Sequence, residues 1–516
     1  TMFNLARRSV LGSVRVLRNA VATTTVHVRH SSSVVVLKNG TVVNQDRAFL
    51  ADVLCEDGKI KAVGLDIDTP VGTRVIDCFG KYVMPGGIDP HTHLDMPFMG
   101  DVTCDDFFTG HCAALAGGTT LHVDFALPVD GSLMEGYKAW RVKAEKAAMD
   151  YCFHMAVPFW NPQVPKDMAE LTDKFGINSY KFFMAYKGAL MVSDEELAAG
   201  MTQCKAIGAI PMVHAENGDL VELGQNRIFN MGITGPEGHN LSRPPELEAE
   251  ATNRAIMMAQ FINVPLYVVH VMSKMAMEEV ARGRERGVRV VGEPLCTGLA
   301  KDHSELWNED FDRAAMHVMS PPIRKLDLDG EALANALSSG VLTLVGSDHA
   351  VFNRAQKAKG RGDFRTIPNG VNGIEERMHL TWDKCVNTGK MTKMDFVRAT
   401  SAAAAQIFNI YPQKGYIGVG SDADICVLNP NTVKTISVEG HHSAMDTNAY
   451  DGWKIKGKVE TTISRGKVVW DDDVLTVEQG AGRYVKCAPY GSMFEGMERR
   501  PIEANPGTQA ACTRVV

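Results

Sequence analysis

Short apolar runs of strand type dominate the chain from residue 34 to about residue 84 and return near its carboxyl end. Early examples are VVVLKNGTVV and ADVLCEDGKIKAVG, and late examples are GSDADICVLNP and ETTISRGKVVWDD. The pairs Asn39-Gly40 and Asp57-Gly58 predict hairpin turns, because tight two-residue turns favour these residue types. Strands at both ends predict one small β-sandwich-like domain built from residues 34–84 and 413–477.

Between these ends, apolar runs of strand length alternate with segments of helical character, such as PELEAEATNRAIMMAQFI. Eight strand-then-helix units predict a parallel sheet closed into a (β/α)8 barrel over residues 85–412, with an open doubly wound sheet as the alternative. The predicted strands lie at residues 84–91, 119–127, 151–160, 177–186, 208–216, 263–273, 287–296 and 340–349.

The stretches that follow the eighth predicted strand have a different composition. Residues 350–412 begin as a loop rich in Lys, Arg and Gly and continue as helices. The tail, residues 478–516, is rich in Gly, Pro and Arg. It predicts an extended arm, which is either disordered or clasps a neighbouring subunit.

Side chains able to bind metal stand at the carboxyl ends of five of the eight predicted strands. Strand residues i and i+2 point to the same face, so His91 and His93 of the stretch GIDPHTHLD can reach one point in space. The carboxyl ends of barrel strands meet at one mouth. Each residue alone also has a purely structural interpretation, because Asp348 could cap a helix and Lys181 could extend to solvent. The candidates are His91, His93, Lys181, His214, His270 and Asp348.

Four neutral imidazoles and one carboxylate suit zinc or a similar divalent ion, and six positions exceed the needs of one tetrahedral ion. Two ions divide the set, one with His91, His93 and Asp348 and the other with His214 and His270. An ammonium group cannot bridge them, because it has no acceptor. Lys181 can do so only as a carbamate of its neutral amine, a form that burial beside cations favours.

Composition narrows the function classes. The 516 residues include 45% hydrophobic and 22% charged residues, a composition typical of a globular protein. The net charge of -7 gives no indication of the positive surface that nucleic-acid binding requires. No apolar run is long enough to cross a bilayer. The 11 cysteines are scattered, which favours reduced thiols in an intracellular protein. Residues 1–33 carry several arginines and no acidic residue. This composition predicts either a mitochondrial transit peptide or a basic extension with no targeting function.

Seven motifs are specific when taken together: DPHTHLD, YKFFMAYKGAL, VHAENGD, GITGPEGHNLSRPPELEAEATNRAI, VVHVMS, MSPPIR and GSDHA. They resemble the dihydropyrimidinases of the amidohydrolase superfamily, close relatives of the D-hydantoinases, and the resemblance runs from about residue 34 to about residue 490. The resemblance implies two zinc ions bridged by carbamylated Lys181, with the six candidates as ligands. It also implies substrate contacts at Tyr186, Ser320 and Asn369, the last two largely through backbone groups.

The resemblance further implies hydrolysis of a cyclic amide. In this reaction water activated by the metal ions attacks the ring carbonyl, Tyr186 donates to the developing oxyanion, and Asp348 carries a proton to the leaving nitrogen. The expected substrates are 5,6-dihydrouracil and dihydrothymine, opened to N-carbamoyl-β-amino acids, with hydantoins as additional substrates. Family members are usually cytosolic homotetramers, so the implied compartment differs from the one that the arginine-rich leader suggests.

Three other functions fit parts of the pattern. The collapsin response mediator proteins share the fold as non-catalytic scaffolds, but they lack most of the metal ligands that are present here. Allantoinase and dihydroorotase use a similar site on other rings. Dihydroorotase needs a cation for its substrate carboxylate, whereas the loop after His93, LDMPFMG, is apolar and contains no arginine. The sequence therefore favours a neutral ring with a small or apolar substituent.

Overall fold

The computed structural model describes residues 34–497, which form eighteen strands and fifteen α-helices. The strands are β1 (Val35–Val43), β2 (Ala48–Glu56), β3 (Lys59–Gly64), β4 (Arg74–Asp77), β5 (Tyr82–Pro85), β6 (Gly87–Thr92), β7 (Pro97–Phe98), β8 (Asp101–Val102), β9 (Thr119–Ala126), β10 (Asp150–Ala156), β11 (Ser179–Phe183), β12 (Ile210–His214), β13 (Leu266–Val268), β14 (Val290–Gly292), β15 (Ile425–Thr435), β16 (Lys454–Ser464), β17 (Lys467–Asp471) and β18 (Val474–Leu475).

Most of the α-helices follow the strands of the middle segment, as alternation of the two patterns predicts. They are α1 (Thr109–Ala116), α2 (Leu133–Lys143), α3 (Val164–Glu170), α4 (Asp194–Ile207), α5 (Gly218–Asn230), α6 (Glu237–Leu241), α7 (Pro245–Ile262), α8 (Lys274–Glu285), α9 (Cys296–Ala300), α10 (Phe311–Ala315), α11 (Glu331–Ser338), α12 (Arg354–Lys357), α13 (Arg377–Thr381), α14 (Lys393–Val397) and α15 (Ala403–Ile407). Among residues 34–497, no helix is long and apolar enough to cross a membrane.

The strands of both chain ends share one mixed sheet of nine strands. Its order is β18-β17-β16-β15-β5-β1-β2-β3, with β4 paired to β1. The sheet curls back, so that Lys59 of β3 forms a bridge with Asp422, just before β15. Apolar side chains from the early and late strands, such as Leu37, Val53 and Ile425, are buried together inside the curl. Both ends of the described chain therefore build one β layer, as the terminal patterns predict.

The two predicted hairpin turns have different outcomes. Asp57-Gly58 connects β2 to β3 with Glu56 opposite Lys59, and both turn residues have positive φ values, 52° and 76°. Asn39-Gly40 is not a turn, so this prediction was wrong. The pair lies inside β1, where Asn39 has φ 62° and the register against β2 shifts between Leu37 and Gly40. A β-bulge, like a tight turn, accommodates a residue with positive φ, but the strand continues through the bulge.

Seven strands form a parallel sheet in the order β14-β13-β12-β11-β10-β9-β6. The eighth predicted strand, residues 340–349, is not a regular strand, but it fills the gap between β14 and β6. On one side Thr343 N donates to Gly292 O at 2.9 Å, and Gly346 N donates to Pro294 O at 3.2 Å. On the other side His93 N donates to His349 O at 2.9 Å. The sheet is thus closed into a barrel, which excludes the open doubly wound alternative.

The predicted arm is packed along the barrel over its described part, residues 478–497. It runs past the amino ends of the parallel strands: Val485 N donates to Tyr151 O at 2.8 Å, and Cys487 N donates to Gly176 O at 2.9 Å. Cys487 and Phe494 are buried against this end of the barrel. The remaining tail, residues 498–516, and the arginine-rich leader, residues 1–33, lie outside the described residues.

A buried lysine joins the amino end of the barrel to the nine-stranded sheet. Lys414 Nζ donates to Asp150 at the start of β10 at 2.7 Å and lies 3.0 Å from Asp422. It also contacts Asp424, one residue before β15. The Lys414 side chain is 2% exposed, so its charge is balanced by these carboxylates rather than by water. One ammonium group therefore connects two parts of the fold.

We expect Lys414→Met to destabilise the fold, because it leaves buried carboxylates without a positive partner. Breaking a buried ion pair of this kind costs about 3–5 kcal/mol. A lowered unfolding midpoint in thermal and urea denaturation checks this expectation. Lys138→Met, at an exposed lysine of α2 that pairs with Glu135, serves as the control. Equal midpoints for the two variants would show that Lys414 does not hold the two parts together.

Candidate active site

A pocket opens at the carboxyl ends of the parallel strands. It collects residues that lie far apart in the sequence, since β6, β11, β12 and β13 each end at this mouth. Eight of the nine residues named from the sequence line it: His93, Lys181, Tyr186, His214, His270, Ser320, Asp348 and Asn369. The ninth, His91, lies directly beneath, in contact with Lys181 and Asp348.

Three of the predicted ligands already surround a common point. Asp348 Oδ1 lies 3.1 Å from His91 Nε2 and 3.1 Å from His93 Nε2. Ligand atoms bound about 2.1 Å from a tetrahedral ion would lie about 3.4 Å apart. Lys181 Nζ lies 3.1 Å from the same His91 nitrogen. These donor atoms therefore fit a divalent metal ion with little movement.

The other two histidines lie beside this group. The His214 and His270 rings are 4.5 Å apart between centroids, and the His91 and His270 rings are 5.4 Å apart. His214 Nε2 bonds to Glu216 Oε2 at 2.9 Å, which leaves its other ring nitrogen for a ligand. His270 Nδ1 is buried and has no hydrogen-bond partner within residues 34–497. This pair therefore offers donors for a second ion.

Burial controls the charge of the site. It lowers the pKa of His91 well below its usual value, with help from the nearby charge of Lys181, so the imidazole is neutral, as a metal ligand must be. Burial also lowers the pKa of Lys181 to about 8, although Asp348 and Glu293 oppose this effect. Asp348 behaves differently: burial raises its pKa, but the hydrogen bond and charge of His93 bring it below the usual value. The site thus places the neutral ring of His91 beside an ionised Asp348 carboxylate.

Tyr186 follows β11 and lies over the cavity, half-buried. Its ring packs edge-on against Phe98 at 5.6 Å and lies 5.0 Å from the ring of His214. Burial raises the pKa of its hydroxyl to about 12, although Arg243 opposes this effect. The hydroxyl therefore stays protonated across the physiological range and can donate a hydrogen bond.

Ser320 and Asn369 form a polar wall beside Tyr186, and side-chain hydrogen bonds with both oppose the rise in the pKa of the Tyr186 hydroxyl. Asn369 Nδ2 donates to Ser320 Oγ at 2.9 Å, and Ser320 Oγ lies 3.4 Å from His239 Nε2. The rest of the lining is mostly apolar. It includes Met96, Phe98, Leu127 and Leu190. A small planar ring with polar edges fits a pocket with one polar wall and an apolar remainder.

Two buried carboxylates support the predicted ligands, and the sequence did not single out either of them for this role. Glu293 Oε1 bonds to His91 Nδ1 at 2.7 Å and accepts from His270 N at 3.1 Å, and its other oxygen accepts from the hydroxyl of Tyr267. Glu216 holds His214 and forms a 2.7 Å ion pair with Arg243. The available signal was an acidic residue at the end of an apolar run, in VVGEP and VHAEN.

Comparisons with known proteins agree with this geometry. The Amidohydrolase family matches residues 82–469. A dihydropyrimidinase of Arabidopsis thaliana is 54% identical over 94% of this chain and 91% of its own length, and one of Rattus norvegicus is 47% identical over 91% and 92%. The crystal structure of a dihydropyrimidinase from Brevibacillus agri has a TM-score of 0.87 at 43% identity, covering 89% of this chain and 99% of that chain.

We expect Glu293→Gln to weaken metal binding by about 10- to 100-fold, the usual effect of losing a carboxylate that orients a histidine ligand. The amide keeps the size of the side chain but replaces one of the two acceptor oxygens that serve His91 and Tyr267. Competition with a chelator measures the affinity, and Glu145→Gln, at an exposed position, is the control. The same affinity in both variants would remove Glu293 from this role.

Proposed function

This chain belongs to the amidohydrolase family and is a cyclic amidohydrolase, and we propose that its barrel mouth opens the ring of 5,6-dihydrouracil and dihydrothymine. The products are N-carbamoyl-β-amino acids, and hydantoins are additional substrates. The observation that carries the proposal is the meeting of metal ligands, a protonated tyrosine and a polar wall in one pocket. The dihydropyrimidinases and D-hydantoinases that resemble this chain support the choice of ring.

The family is metal-dependent, and we propose two zinc ions as the native complement. One ion would be held by His91, His93 and Asp348, and the other by His214 and His270. Carbamylated Lys181 would bind both ions. Charge supports the carbamate, because an ammonium group beside two divalent cations would repel them. Burial leaves a substantial neutral fraction of the Lys181 amine, the form that adds to carbon dioxide. When bound, such ions would lower the pKa of water and polarise a carbonyl.

The side chains of the chain itself perform the proton and charge handling. The Tyr186 hydroxyl, kept protonated by its raised pKa, donates to the oxygen that becomes negative as the ring carbonyl is attacked. The Asp348 carboxylate accepts the proton of the attacking water and delivers it to the ring nitrogen as the carbon–nitrogen bond breaks. Asp348 suits this task because it is ionised and lies at the floor of the pocket.

The pocket wall supports a neutral ring. Ser320 and Asn369 place polar groups where the amide edge of a ring would lie, and apolar side chains face the rest of the ring. Lys181 is the only Lys or Arg in the lining formed by the described residues, and it is already assigned as a metal ligand. A dihydroorotase would need a further cation for its substrate carboxylate. The lining therefore favours dihydropyrimidines over dihydroorotate.

We propose a homotetramer as the assembly. An apolar patch on the outside of the barrel supports association: on α7, Met257 is 50% exposed and Phe261 is 72% exposed. The neighbouring surface, formed by Ala198, Ala199 and Met258, is also apolar. Contiguous apolar surface of this kind is characteristic of protein–protein contacts.

Steady-state ring opening tests the function. Protein purified with zinc and bicarbonate is given 5,6-dihydrouracil, dihydrothymine, a hydantoin, allantoin and dihydroorotate in parallel. We expect turnover of the first three and none of the last two. Turnover of allantoin or dihydroorotate in preference to dihydrouracil would contradict the substrate assignment, while metal-loaded protein inactive on every ring would contradict the reaction class.

Two substitutions separate metal binding from transition-state stabilisation. Lys181→Ala should lose metal and activity together. Tyr186→Phe should keep its metal but lose turnover by about 10²- to 10³-fold, because it removes one oxyanion donor. Metal analysis and kcat measured on the same preparations check both. Full metal content in Lys181→Ala, or unchanged kcat in Tyr186→Phe, would disprove the corresponding assignment.

A further inference from the structure

A buried lysine stands behind the polar wall of the pocket, in the Lys- and Arg-rich stretch that follows the eighth barrel segment. Lys357 is the last residue of the short helix α12 and is 4% exposed. Its Nζ donates to Val318 O at 2.9 Å and to Gly370 O at 2.8 Å. Both acceptors are backbone carbonyls, and no carboxylate of the described residues forms an ion pair with Lys357.

These two carbonyls belong to the segments that carry Ser320 and Asn369. The segments are already joined once, since Gly370 N donates to Val318 O at 2.9 Å. Lys357 therefore adds a second connection, from the side away from the cavity. Gly370 lies so close to Ala350 that a Cβ atom would approach its carbonyl oxygen to 1.9 Å. The wall is thus confined on both of its sides.

The backbone of α12 is fixed from outside, so the Lys357 side chain is directed inward. Arg354 N donates to Asp446 Oδ1 at 3.0 Å, and Asp446 N donates back to Asn353 Oδ1 at 3.1 Å. Gln356 Nε2 donates to Val102 O at 2.8 Å. A short helix with these anchors can hold a long side chain in a single position.

An apolar residue would fill this buried position at a lower cost in free energy, because burying an amino group requires its desolvation. The hydrogen bonds to the two carbonyl acceptors offset this cost. Burial lowers the pKa of Lys357 to about 7. Both the ammonium form and the neutral amine carry at least two N–H donors, so the two hydrogen bonds persist through neutral pH.

We propose that Lys357 is a positioning residue, whose amino group ties Val318 O to Gly370 O and thereby fixes the wall that presents Ser320 and Asn369 to the ring. The identity of the ring that this wall holds rests on the proposed function. The two hydrogen bonds that connect the wall do not depend on it. Lys357 contacts neither the substrate nor the proposed metal ligands, and it acts only through the geometry of the wall.

Lys357→Met keeps most of the length of the side chain and removes its N–H donors. We expect KM for 5,6-dihydrouracil to rise by about tenfold or more, while kcat stays within about threefold and metal content equals that of the parent protein. This pattern is the one that loss of ring positioning produces. Lys138→Met, at an exposed lysine outside the pocket lining, should match the parent protein in all three. Unchanged KM in Lys357→Met would overturn the proposal. A loss of metal together with kcat would also overturn it, because the residue would then act on the metal site and not on the wall.

Amide hydrogen exchange on the full chain without substrate gives a second reading that does not depend on the ring. In Lys357→Met, exchange should accelerate in residues 318–320 and 369–371 and not elsewhere in the barrel. If the parent protein turns over no ring, the proposed function fails while exchange still decides the connection. If Lys357→Met does not fold, Lys357→Leu, whose shorter side chain also has no N–H donor, undergoes both measurements. Exchange in these segments equal to that of the parent would overturn the proposal.

Discussion

Closure of the parallel sheet is the constraint on which the site depends. The predicted metal ligands come from four strands and from the irregular eighth segment, so they meet only if that segment closes the gap between β14 and β6. Its fit is tight: a Cβ atom on Gly346 would lie 2.9 Å from the Glu293 carboxyl carbon and 3.2 Å from the His91 Cβ. Glycine at this position lets the eighth segment close the barrel while Glu293 stays bonded to His91.

Three residues of the cavity have left-handed backbone conformations, with φ 64° at Tyr186, 38° at His270 and 51° at Asp348. Such conformations disfavour residues other than glycine, and they persist only where the surrounding structure imposes them. Tyr186 and His270 follow β11 and β13, Asp348 lies in the irregular eighth segment, and all three residues line the cavity. The surrounding barrel therefore imposes these three conformations on the cavity.

The sequence predicted the barrel and the six candidate ligands at its mouth, because both follow from periodicity and from the geometry of parallel strand ends. Tyr186, Ser320 and Asn369 were named only through the family resemblance. Other features depend on tertiary contacts that no local pattern contains. Asn39-Gly40 reads as a turn until the strand continues through it as a bulge. The eighth segment reads as a strand, yet it makes only isolated backbone bonds. Glu293 resembles an ordinary strand residue until its oxygens are seen at His91 and Tyr267.

Lys357 shows most clearly where sequence reasoning ends. A stretch such as RAQKAKGRGD suggests a solvated loop, and its neighbour Lys359 is indeed exposed and paired with Asp101. Two residues earlier, the same residue type points inward and bonds to two carbonyls. The difference arises because the anchored helix α12 sets the direction of each side chain. Charge composition predicts the average environment of such a stretch, but only the fold assigns one lysine to the pocket wall.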